Sequence, residues 1–159
     1  MSDGFALNVD EDGFVCLVAP ETYHGFVDED WELGQLLGHF VSQMNLGSLF
    51  IAYPGPDDAG AAVAFVERAA RPMTTSDAVG SVVVGPGGLW VTDYAQLTMA
   101  AQFDDEAPTS SGAVRLSVHE GVHRVTLQRV NGDPGLILTL TPLSADERRE
   151  HLRAVPWFA

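Results

Sequence analysis

The stretch Val114-Arg115-Leu116-Ser117-Val118-His119-Glu120-Gly121-Val122-His123-Arg124-Val125-Thr126-Leu127-Gln128 supports two readings, and the choice between them decides the fold. Its middle, His119 to His123, matches H-E-x-x-H, the zinc-protease pattern. That chemistry needs a helix, on which imidazoles at i and i+4 project together onto one metal while the glutamate serves as general base. The flanks argue for strands instead. Val114, Leu116 and Val118 alternate with Arg115 and Ser117, and Val125 and Leu127 alternate with Thr126 and Gln128. Period two is the mark of a half-buried strand. With Gly121 at the midpoint, the sequence predicts a tight hairpin tipped by Glu120-Gly121, in which His119 faces Val122 and Val118 faces His123. The two imidazoles then do not converge, so no metal or other cofactor is expected. The rival reading is a metal-dependent hydrolase using His119, Glu120 and His123, with Glu147 or Glu150 as a third ligand.

The strand reading extends outward from this stretch. Residues 81–84, 89–92, 96–101 and 136–141 are rich in β-branched and apolar side chains, and the glycine- and proline-rich segments 85–88 and 131–135 read as hairpin loops between neighbours. Upstream, Phe5, Leu7 and Val9 alternate, residues 10–13 turn, and residues 14–18 run apolar, which predicts another hairpin. Leu33, Leu36, Leu37, Phe40, Val41 and Met44 form one face of a helix over residues 31–45, with acids before it and Gly47 after it. Residues 48–53 read as a strand and the alanine-rich residues 58–71 as a second helix, with Ala62, Phe65, Val66 and Ala69 inward. Ser144, Ala145, Asp146 and Glu147 make a capping-box pattern that opens a short C-terminal helix ending near Val155. Together these predict one α+β domain over residues 1–159. Its sheet is mostly antiparallel, either curled or a sandwich, with two N-terminal-half helices packed on it and the short C-terminal helix.

Composition narrows the function. The chain has 159 residues, 46% of them hydrophobic, and a net charge of −14 from 22 acids and 8 basic residues. All the basic residues are arginine. Such a charge repels phosphate, which argues against nucleic-acid and anionic-membrane partners. The single cysteine, Cys16, excludes an internal disulfide and a cysteine-rich zinc site, and its apolar strand context predicts a buried, inert thiol. Without a basic, apolar leader or a bilayer-length apolar run, the expected location is the cytoplasm. There is no G-x-S-x-G elbow, and the glycines at 85–88 lack the lysine of a phosphate cradle. Residues 8–13 resemble the opening of a calcium loop, but Ala19 stands where the bidentate glutamate belongs, so a hairpin turn is the expected explanation. His24 and His39 read as a surface residue and a helix-edge residue.

The charge is concentrated. Residues 1–67 carry twelve acids and no basic residue. Three clusters stand out, at residues 10–12, at Asp28-Glu29-Asp30 with Glu32, and at residues 104–106. Turn and helix-start positions account for acids in general, because water and the helix dipole favour them there. The functional reading is a surface that meets a basic partner protein, centred on Asp28, Glu29, Asp30, Trp31 and Glu32. Tyr23, Phe26 and Trp31, or Trp157 and Phe158, are its interface anchors if exposed. The expected function is therefore a non-enzymatic, immunity- or inhibitor-type module that neutralises a basic partner; a homo-oligomeric structural subunit is the remaining alternative.

Overall fold

A computed structural model describes residues 7–55, 60, 62–66, 78–109, 113–129, 136–143 and 152–156. Its elements, in chain order, are β1 (Leu7–Asn8), β2 (Val15–Val18), α1 (Leu33–Leu46), β3 (Leu49–Ala52), β4 (Ala62–Val66), β5 (Ala78–Val84), β6 (Leu89–Thr92), α2 (Tyr94–Gln102), β7 (Val114–Leu116), β8 (Gly121–Arg129) and β9 (Leu136–Pro142). The strands form two sheets, one ordered β1-β4-β9-β8-β5 and the other β3-β2-β6-β7. Among the described strands every pairing is antiparallel except β4 with β9. This is the α+β, mainly antiparallel architecture the sequence predicts.

The sheets approach each other where β5 passes β3. The Val83 amide donates to the Gly47 carbonyl at 2.7 Å. At Gly80 a Cβ would lie only 2.9 Å from the Phe50 ring, so a side chain there would force the sheets apart. Helix α1 packs on β3 and β5, burying Leu36, Phe40 and Met44 on one face. It ends at Gly47, whose φ of 86° is the left-handed cap conformation that glycine adopts without strain. Strand β2 is buried along its whole length between β3 and β6, which explains why residues 15–18 are apolar without alternation.

Several expectations fail, each for a local physical reason. Residues 10–13 do turn, but β1 pairs with β4 and β2 with β3 and β6, so no hairpin joins them. Within residues 58–71, Ala62–Val66 is a strand: tertiary pairing between β1 and β9 overrides the helix propensity of alanine. Residues 96–101 are helical, because Asp93 caps α2 by accepting the Gln96 amide at 2.7 Å and Leu97, Ala100 and Ala101 form its buried face. Among the described residues only α1 is therefore a helix of the N-terminal half. The hairpin at Glu120-Gly121 is absent: β7 pairs with β6 in one sheet, β8 with β5 and β9 in the other, and the chain changes sheets between them. His123 lies opposite Val82 and Pro142, and Val122 opposite Val83. Likewise, residues 85–88 link the two sheets instead of closing a hairpin, whereas β8 and β9 pair antiparallel as expected across residues 131–135. The start of the predicted C-terminal helix, residues 144–151, lies outside the described residues, as do Trp157 and Phe158. Residues 152–156 are not helical. Asn45 brackets the Leu152 backbone with two hydrogen bonds, and Pro156 accepts from the Tyr53 amide.

Candidate functional site

The H-E-x-x-H residues are divided between the segment before β8 and β8 itself, not set on one helix. His119 and Glu120 are exposed and precede β8, whereas His123 is buried on it. The His123 ring binds the His119 carbonyl through Nε2 at 2.7 Å, and its Nδ1 is enclosed away from solvent. One nitrogen of the His123 imidazole is thus taken by the His119 backbone and the other is enclosed. Among the described residues no group of three or more histidine, cysteine, aspartate or glutamate side chains is arranged to hold a metal ion.

The calcium-like segment has a structural explanation. Asp10 Oδ1 accepts the amides of Asp12 and Phe14 at 3.0 and 2.8 Å, and Oδ2 accepts the Tyr94 amide at 2.8 Å. One carboxylate therefore closes the turn and anchors the first turn of α2. A cleft of about 410 Å³ beside it is lined by Glu11, Asp12, Asp93, Val91 and Val114. Here the acids stand at the N-terminal end of α2, where the helix dipole favours them. Cys16 is fully enclosed, and burial holds its thiol well above the usual range, so the inert reading fits.

The segments carrying residues 28–30 and 104–105 adjoin the opposite end of the same helix, while Glu106 turns back toward its first turn. The amides of Val27 and Asp28 both donate to the Ala101 carbonyl, at 2.8 and 3.0 Å, satisfying the end of α2. A Cβ on Gly25 would lie 3.2 Å from Ala100 Cβ, so residues 25–28 run directly against the helix. Residues 104–106 follow two residues beyond its last turn, and Gln96 draws the segment back along the helix through bonds to Glu106 and to the Ala107 carbonyl. Asp28, Glu29, Asp30, Asp104, Asp105 and Glu106 are all exposed. The helix carries no basic residue in its last turn. Carboxylates near a helix C-terminus face the negative end of its dipole, so α2 does not favour Asp104 and Asp105 there, whereas residues 28–30 also precede the N-cap of α1, whose dipole favours them.

Of the residues the sequence singles out, Asp28, Glu29, Asp30 and Glu32 are exposed together as expected. Glu32 also begins α1, its amide bonded to Gln35 Oε1 at 2.8 Å, and the Asp30 amide bonds Asp28 Oδ1. Trp31 is only partly exposed and packs against the core. Tyr23 is buried. Phe26, by contrast, is 46% exposed, and so are two residues that sequence reasoning passed over, Met99 at 42% and Phe103 at 41%. Met99 and Phe103 stand one turn apart at the end of α2, beside residues 25–28. Reading residues 96–101 as a strand hid that spacing; the Asp93 and Gln96 pair, an N-cap signature, was the signal for the helix. His39 rests on the His24 carbonyl through Nε2 at the edge of α1.

No protein family, curated protein or solved structure matches the chain. None of the described helices is long and apolar enough to cross a membrane.

Proposed function

We propose that the protein is a cytoplasmic, non-enzymatic binding module whose acidic surface at the C-terminal end of α2 engages a basic partner protein. The observation that supports this is the approach of the segment bearing Asp28, Glu29 and Asp30 to the last turn of α2, which Asp104 and Asp105 follow, so that exposed carboxylates from two parts of the chain share a region with no basic residue in that turn. Asp10 and Asp93 have structural work, holding backbone amides at the turn and at the start of α2. A field of this sign speeds encounter with a basic surface and competes for a face shaped to hold phosphate, as an inhibitor of a phosphate-handling protein requires. Binding also relieves the mutual repulsion of the carboxylates.

The test uses a short peptide of arginine and serine as the basic probe. Its affinity for the full chain should fall steeply between low salt and about 0.15 M, where the Debye length is ~8 Å. The substitutions Asp28→Asn, Glu29→Gln and Asp30→Asn together should flatten that dependence. An unchanged salt slope in the triple variant would remove this surface from consideration.

A further inference from the structure

We infer that the partner docks by inserting apolar side chains, carried on an arginine- or lysine-rich segment, onto the patch formed by Phe26, Met99 and Phe103. This deepens the reading of an acidic binding surface and rests on it. Three large apolar side chains, each more than two fifths exposed, are carried on two adjoining segments: Met99 and Phe103 at the end of α2, and Phe26 on residues 25–28, whose backbone is tied to Ala100 and Ala101. Scattered single exposures are ordinary, but clustered ones rimmed by polar residues mark an interaction surface. Here exposed carboxylates flank the apolar residues in the chain: Asp28, Glu29 and Asp30 follow Phe26, and Asp104 and Asp105 follow Phe103. An apolar centre within a charged rim is the anatomy of a protein interface.

The charge selects the occupant. A second copy of this chain, itself at −14, would set carboxylates against carboxylates around the patch. A basic segment instead pairs with the rim while its apolar residues cover Phe26, Met99 and Phe103. The division of labour follows: the rim acts on encounter and on salt dependence, and the centre acts on dissociation. Methionine suits such a centre, since its unbranched side chain adapts to the shape of what docks.

Two peptides separate the two layers of the argument, one of arginine and serine and one in which two of the serines are tryptophan. The wild-type chain should bind the tryptophan peptide about tenfold more tightly, and the margin should persist at high salt, where rim charges are screened. Phe26→Ser and Phe103→Ser, together or singly, should bring the tryptophan peptide down toward the affinity of the serine peptide. Both residues are exposed, and circular dichroism with a urea midpoint would verify folding. The margin should also fall in Met99→Ser, a milder change. Equal binding of the two peptides by the wild type overturns this inference while leaving the acidic reading in place, provided the serine peptide still shows the salt slope that residues 28–30 control. A margin that survives all three substitutions overturns it as well. Concentration-dependent dimerisation that Phe103→Ser abolishes would assign the patch to a second copy and overturn it too.

Discussion

The Asp10 carboxylate reaches the Tyr94 amide at 2.8 Å across 84 residues of sequence, tying the first turn of the chain to the start of α2. The same side chain accepts the amides of Asp12 and Phe14. Asp10→Ala strands three backbone donors and should cost about 1–3 kcal/mol in urea unfolding. Asp10→Asn keeps one oxygen and should cost less. Burial, outweighing those three amide bonds, holds the Asp10 carboxyl above its ordinary value. The native state then keeps this proton longer than the unfolded chain does. Its contribution is therefore fully present below the ordinary aspartate pKa and is lost as pH rises through the native-state value. Unfolding of the wild type and Asp10→Asn compared across that window should show the variant lacking this component.

His39 has the opposite sign in a different window. Burial lowers its pKa, opposed by its bond to the His24 carbonyl. The fold thus favours the neutral ring, and this stability is present above the ordinary histidine pKa and lost as pH falls below it. The urea midpoint of the wild type should decline between about pH 7 and 5.5, and His39→Gln should make that decline shallower. A variant with the same slope would show that another group carries it.

The face of α1 sets an order of core substitutions. Phe40 is fully buried, so Phe40→Ala should cost about 3–5 kcal/mol. Leu37 is partly exposed and packs on the core, so Leu37→Ala should cost less. Leu33, at 57% exposure, should stay within about 0.5 kcal/mol. The helical spacing alone placed Leu33 inward with the others. It stands at the first position of α1. Chemical denaturation of the three variants checks the ranking, and equal costs would contradict the assigned face.

Metal dependence offers a separate check. Because the His123 ring is bonded to the His119 carbonyl within β8's approach, dialysis against a chelator should leave the urea midpoint unchanged, and purified protein should hold less than one equivalent of zinc. One tightly bound equivalent, lost in His123→Ala, would restore the hydrolase reading.

What was legible in the sequence was what local pattern determines. The α1 stripe, the buried run at residues 15–18 and the alternation around Val125 and Leu127 each found their element. What failed depended on distant partners. Two alternating segments flanking Gly121 look like a hairpin, yet each pairs with a different sheet. Alanine-rich residues 62–66 became a strand because β1 and β9 flank them. The acids at residues 28–30 were plain in the sequence. Their neighbours were not, because only the fold carries Val27 and Asp28 to Ala101 and so brings the segment bearing Phe26 to the helix end that carries Met99 and Phe103.

The central claim is that position, and not merely total charge, gives these acids their role. It is tested most directly by association rates of the arginine–serine peptide at low salt in two variants of equal charge. One carries Asp28→Asn, Glu29→Gln and Asp30→Asn; the other carries Glu11→Gln, Asp12→Asn and Glu120→Gln, all exposed and in other segments of the chain. A site at that end predicts that the first variant associates several-fold more slowly than wild type while the second stays close to it. Equal slowing in both would show that net charge alone attracts the peptide and would contradict the account.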